Sequence, residues 1–312
     1  MQINKNSPMP LAIRTTLRAG WVVLALSLTA TAQEESHPVS RWQLDGDTNT
    51  IYLLGSVHLL RANDHPLPSI IDTAYRDAEV IIMELDMDDI DPVEAQSLLT
   101  ELGLIQGEKS LMDLMGDEAY AEAEVLAMSA DIPLAMLEKS EPWLAAITVE
   151  QLMLARVGFN PVFGIENHLM EKALVDEKEI LGLETIREQL EFLDGMSLES
   201  QSALLLQSLK ESVDIQKIMD ELVDAWRHGD IGFMEDNMLD EMKRYPELYR
   251  TIVVDRNLDW VAKIEKLLGN EDDYLIVVGA LHLIGDEGVP SLLAERGRTV
   301  QQLRQPAAEP TQ

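Results

Sequence analysis

Two short segments of this sequence could do the same chemistry. Leu53-Leu54-Gly55-Ser56-Val57-His58-Leu59-Leu60 and Val277-Val278-Gly279-Ala280-Leu281-His282-Leu283-Ile284 each pass from an apolar run through Gly-x-x-His into two more apolar residues. The apolar run reads as a strand. Gly55 and Gly279 let the backbone turn, or approach a bound group closely, where that strand ends. The histidine then lies beyond the strand's carboxyl end, the edge at which open α/β sheets bind ligands. If the two strands lie side by side, His58 and His282 converge, and paired neutral imidazoles suit a divalent transition metal such as zinc. A single Gly-x-x-His says almost nothing. Two in matching contexts form a hypothesis, set against two unrelated histidines each hydrogen-bonded at a strand end.

Carboxylates occupy similar places. Glu84 closes Val80-Ile81-Ile82-Met83, and Glu184 follows Ile180-Leu181-Gly182-Leu183. Either could complete a two-histidine, one-carboxylate site that keeps a position open for water. The other would act as general base or orient a ligand. Arg256, in Asp255-Arg256-Asn257, could stabilise an oxyanion or pair with one of the glutamates. A surface salt bridge is its plainer reading.

The elements that must position these residues follow from periodicity. Arg41 to Leu44 and Ile51 to Leu54 read as a hairpin around Asp45-Gly46-Asp47. Leu67, Ile70, Ile71, Ala74, Tyr75 and Ala78 recur at helical spacing, and Val80 to Met83 is a β-branched run, so strand, helix and strand suggest a βαβ unit with a parallel pair. Residues 92 to 175 and 186 to 268 read as mostly helical. Asp91-Pro92-Val93-Glu94 supplies a helix start, and Leu258, Val261, Ile264 and Leu268 mark one apolar face. Glu179 to Leu183, Tyr274 to Val278 and Thr299 to Leu303 are further strands, the last at an edge. The expected fold is α/β: a small mixed sheet built from both ends of the chain, with a large helical insertion.

Composition limits the function. The 312 residues are 46% apolar and 26% charged, with no cysteine, so a sizeable core is available and thiolate sites and disulfides are excluded. The net charge is −32. Such a surface repels nucleic acid and anionic lipid, so neither is expected as a partner. Residues 1–32 read as a signal peptide: Lys5, Arg14 and Arg18, then the short apolar core Trp21 to Leu28, then Ala30-Thr31-Ala32 before a cut at Gln33. Its removal takes the charge from −32 to −35 and sends the product to the periplasm or the medium, without stable membrane insertion. Residues 33–304 form the expected domain, and 305–312 a polar tail without order.

The chain resembles the TraB/GumN family, which is related to the animal Tiki metalloproteases. The matching segments are Tyr52 to His58, Ile82-Met83-Glu84-Leu85-Asp86, Gly164-Ile165-Glu166, Gly182-Leu183-Glu184-Thr185 with Glu188-Gln189, Asp255-Arg256-Asn257, and Gly279 to Gly285 with Gly288-Val289. The family pattern has aspartate where Glu166 stands, a change that keeps the charge. The resemblance implies an α/β core with a helical insertion. It also implies metal-dependent proteolysis with manganese or cobalt, and a peptide or protein substrate. On that basis His58, His282 and Glu84 are expected to hold a divalent ion (Mn, Co or Zn). Glu184 would serve as base or outer support, and Arg256 would stabilise negative charge. The competing expectation is a non-catalytic protein whose cleft holds a peptide, a metal or haem.

Overall fold

The protein is described here from a computed structural model that covers residues 41–303. The leader expected over 1–32 and the tail expected over 305–312 lie outside the described residues. Six strands form one sheet: β1 (Arg41–Asp45), β2 (Thr50–Ser56), β3 (Val80–Leu85), β4 (Ile180–Glu184), β5 (Tyr274–Gly279) and β6 (Val300–Gln302). Their spatial order is β4-β3-β5-β2-β1-β6.

The four strands β4, β3, β5 and β2 are mutually parallel, while β1 pairs antiparallel with both β2 and β6. All six residues of β5 are buried. An uninterrupted apolar run such as Tyr274-Leu275-Ile276-Val277-Val278 is what a parallel strand covered on both faces requires. The hairpin, the C-terminal edge strand and the mixed sheet drawn from both chain ends match the sequence reading. One expectation needs correction. β2 and β3 are parallel and joined through the helix Ser69–Asp77, but they are not neighbours, because β5 from the far end of the chain lies between them. β5 is the most completely buried strand, and the centre of the sheet is where two covered faces are available to it.

Helices fill the stretches from β3 to β4 and from β4 to β5. Helix Pro92–Gly103 begins as its sequence dictates, with the Asp91 carboxylate accepting the Val93 N–H at 2.8 Å and proline in the first turn. Helix Asp255–Leu267 follows directly on a π-helical turn, Arg250–Val254. Its buried face is Arg256, Asn257, Trp260, Val261 and Ile264, whereas Leu258 is 42% exposed. The apolar stripe expected through Leu258 is therefore rotated, and two polar side chains take the inward position. Among the described residues no helix is long and apolar enough to cross a membrane.

Most buried apolar side chains form one core around the sheet. A second, separate cluster is centred on Leu98, Trp143 and Leu190, on the helices Pro92–Gly103, Pro142–Arg156 and Ile186–Asp194.

Candidate functional site

Parallel strands end on the same side, so the carboxyl ends of β2, β5, β3 and β4 make one rim. In register, Ser56 lies opposite Gly279 and Leu85 opposite Glu184. The two Gly-x-x-His motifs therefore leave adjacent strands, and Glu84 leaves the strand on the other side of β5. Gly279 is where they meet. A Cβ built there would lie 3.2 Å from His58 Nε2, 3.4 Å from Glu84 Oε1 and 3.6 Å from the His282 ring. The glycine opens the space in which the three side chains face one another.

Each imidazole is held from behind. His58 Nδ1 is 2.8 Å from Glu166 Oε1, and the Ser56 hydroxyl donates to the same oxygen. Glu166 reaches that point because Gly164, at the start of its helix, lets the backbone press against the His58 carbonyl, where a Cβ would collide. His282 Nδ1 is 2.7 Å from Asn257 Oδ1, while Asn257 Nδ2 donates to the Glu287 carbonyl at 2.7 Å. That second bond fixes which way the amide points, so Nδ1 of His282 carries the proton and Nε2 carries the lone pair. An outer carboxylate or amide holding one ring nitrogen, with the other aimed inward, is the arrangement that orients metal-ligating histidines.

Arg256 lies at the centre of the rim with all five N–H donors engaged. Nε donates to Glu184 Oε1 at 2.8 Å, and Nη2 donates to Glu84 Oε2 at 2.6 Å and Glu184 Oε2 at 2.9 Å. Nη1 faces the Ile252 carbonyl and His282 Nε2, each at 3.3 Å. The guanidinium stacks on Trp260 with its carbon 4.7 Å from the ring centroid, and the Trp260 indole N–H donates to Glu184 Oε1 at 2.8 Å. The remaining oxygen of Glu84 accepts the Gly279 N–H at 2.8 Å. The sequence-selected residues His58, Glu84, Glu184, Arg256, Gly279 and His282 are thus assembled at one place. Gly55 precedes it by one residue, lying opposite Val278, and its carbonyl accepts the Trp226 indole N–H at 2.8 Å.

These neighbours set the protonation states. Burial raises the Glu84 carboxyl, but His58, His282, Arg256 and the Gly279 N–H outweigh it and hold it at about 2. Burial pushes the His282 imidazole down to about 3, assisted by the positive charge of Arg256 and His58. The Glu166 carboxylate raises the His58 imidazole well above its ordinary value. The His58 side chain is 52% exposed, and water screens part of that attraction. Burial also raises the Glu184 carboxyl, against the pull of Arg256.

Donors of the type a divalent ion takes are present here, two imidazole Nε2 atoms and a carboxylate, beside a glycine that leaves room. Of the three carboxylates at the rim, Glu84 and Glu184 share one permanent positive group, Arg256, and Glu166 pairs with His58. As the side chains stand, however, no group of three or more His, Asp or Glu among the described residues is disposed to hold an ion. The Arg256 fork explains this, because it faces the His282 lone pair and takes one Glu84 oxygen.

A cleft of about 440 Å³ opens onto this rim, with His58, Glu84 and Arg256 among its lining residues and Leu99, Leu144 and Ile147 among its walls. A smaller recess of about 220 Å³ shares His58, Glu84 and Gln189 with it. Glu184 lines neither. Sequence reasoning assigned no role to Glu166, Asn257 or Trp260. The first two sit inside motifs of the resemblance, and Trp260 falls one helical turn after Arg256, which is the signal that could have found it.

A model of the TraB/PrgY/gumN family matches residues 40–302. The "Uncharacterized protein YbaP" of Escherichia coli (strain K12) is 21% identical over 243 residues, covering 78% of this chain and 87% of that protein. An "Uncharacterized protein" of Treponema pallidum (strain Nichols) is 22% identical over 272 residues, covering 82% and 80% respectively. No solved structure matches. With nearly all of the described sheet and helices inside the matched region, the chain belongs to the TraB/PrgY/gumN family.

Proposed function

We propose that this protein is a metal-dependent hydrolase of peptide bonds, exported by the leader in residues 1–32. The observation that carries the reading is the pair of imidazoles at the sheet rim, each anchored at Nδ1, with His58 Nε2 3.7 Å from Glu84 and His282 Nε2 3.3 Å from the Arg256 guanidinium that also binds Glu84. In this reading His58, His282 and Glu84 hold a divalent ion, manganese, cobalt or zinc. When bound, such an ion lowers the pKa of water and polarises a carbonyl.

The chain's own residues do the rest. Glu166 and Asn257 keep the two rings aimed. Glu184 sits behind Arg256 with both oxygens occupied, so of its two expected roles we assign it the supporting one, holding the guanidinium. Arg256 borders the cleft; with its N–H donors taken up by Glu84, Glu184, Ile252 and His282, it acts on negative charge developing on a substrate oxygen through its field. A proton on His58 Nε2 occupies the direction of Glu84, 3.7 Å away, so proton and cation compete for that nitrogen and cation binding releases a proton.

The test is metal content and peptide cleavage of the exported protein, for wild type and His58→Ala. A stoichiometric ion that is lost in the variant, together with chelator-sensitive cleavage, is the expected result. Cleavage indifferent to both chelation and the substitution sinks the proposal.

A second reading keeps the same cleft for binding without turnover, of a peptide, a metal or haem. What favours its peptide form is the Arg256 contact with His282 Nε2, which occupies the lone pair a metal ion or haem iron needs. Haem added to the protein would shift its Soret band if that reading held for haem.

A further inference from the structure

The cleft above the rim is chemically unlike the rim itself. Its walls come from the separate apolar cluster, where Leu98, Trp143 and Leu190 are buried and Leu144, Ile147 and Leu193 are partly buried around them. At about 440 Å³ it falls within the ~300–1,000 Å³ range of small-ligand sites, which are mostly apolar with a few convergent polar groups. Here the polar groups are the carboxamides of Gln151 and Gln189, which have no hydrogen-bond partner among the described residues. Each offers both a donor and an acceptor, the complement of a peptide backbone. The cleft is continuous with His58, Glu84 and Arg256, so a chain lying in it reaches the groups described above.

We propose that this cleft seats an apolar side chain, of the size of leucine or phenylalanine, from a peptide segment next to the bond presented to His58 and Glu84. Gln151 and Gln189 bind backbone amides of the same segment. The assignment rests on the hydrolase reading for what happens to the peptide, and on the cleft alone for what binds. A peptide is favoured over a fatty acid because an acyl chain would leave the half-buried Gln189 carboxamide without a partner. A peptide without a large apolar side chain would leave the walls wet.

The experiment is calorimetric titration of the full-length protein with acetyl-Ala-Xaa-Ala-amide peptides, Xaa being Leu, Phe or Ser, with chelator present so that no cleavage intervenes. The Leu and Phe peptides should bind at least about tenfold more tightly than the Ser peptide, the scale of discrimination an apolar pocket gives. Ile147→Trp, which fills the cleft from a partly buried position, should erase that preference, and Gln189→Leu should weaken all three peptides alike. If Ile147→Trp does not fold, Gln151→Trp narrows the same cleft from an exposed position. Equal binding of the three peptides overturns the assignment, as does an unchanged preference in the filled variant or laurate binding that displaces the Leu peptide. If the preference holds and no peptide is cleaved with any added metal, the hydrolase reading falls and the apolar subsite stands.

Discussion

Around Arg256 at the sheet rim, five N–H donors meet five directed acceptors, and each histidine is fixed by a named oxygen. A short distance away, Leu98, Trp143 and Leu190 hold three helices together by contact. The rim joins residues from four strands and from helices far apart in sequence. The cleft wall joins three helices and no strand. Directed bonds fix positions closely and tolerate little change, because an orphaned buried donor or charge retains its full desolvation cost. Dispersion contacts tolerate change in graded steps. Precision is therefore concentrated where chemistry is proposed, and tolerance where ligands of differing shape would lie.

The largest expected effect comes from removing the centre of the rim. Arg256→Ala leaves Glu184 buried without a counter-charge and Glu84 with only the half-exposed His58, and breaking a buried pair in this way costs about 3–5 kcal/mol. Urea unfolding measures it, and a loss below about 1 kcal/mol would mean the rim is no more tightly coupled than a surface ion pair. Next comes Leu98→Ala in the wall, with Leu98 only 2% exposed. It should cost about 2–3 kcal/mol through the cavity it leaves, while the ion content and the pH response of the rim stay as in wild type. Loss of the ion in that variant would show that the two regions are not separable.

Asn257→Ala tests the rim more finely. It leaves the His282 Nδ1–H without its acceptor, at about 1–3 kcal/mol, and should lower cation affinity about 10- to 100-fold, as loss of an outer partner does. Unchanged affinity would remove Asn257 from the orienting role. The smallest effect is electrostatic. The His58 pKa is raised in the fold, so in the metal-free protein its contribution to stability is complete below the unfolded value of about 6.5 and is lost as pH rises through the folded value. Glu166→Gln should lower the His58 value, read by NMR titration of the ring, and flatten the stability slope above pH ~6.5. With half of the ring in solvent the change in stability is small, and an unmoved His58 titration would contradict the assigned cause.

What could be read from the sequence follows the same division. The convergence of His58 and His282 was legible because each motif is local: an apolar run, a glycine and a histidine at a strand exit. Glu84 and Glu184 were legible as strand ends for the same reason. The place of β5 between β2 and β3 was not, since no local pattern records which parallel strands pair. The anchoring by Glu166 depends on how closely a distant helix approaches His58, which Gly164 permits and spacing alone does not reveal. Leu98, Trp143 and Leu190 look like ordinary core positions at helical spacing, and only the folded arrangement separates them from the main core. The inward face of Asp255–Leu267 was misjudged through Leu258 because Arg256 and Asn257, polar residues, take the buried side.

The distance between the two histidines along the chain has a temporal meaning. From position 58 to position 282 a ribosome adds 224 residues, which takes about 10–45 s at usual elongation rates. Throughout that interval the growing polypeptide carries one Gly-x-x-His and lacks β5, the strand that its own β2 and β3 must both flank. The rim therefore cannot close until β5 and the second Gly-x-x-His have been made.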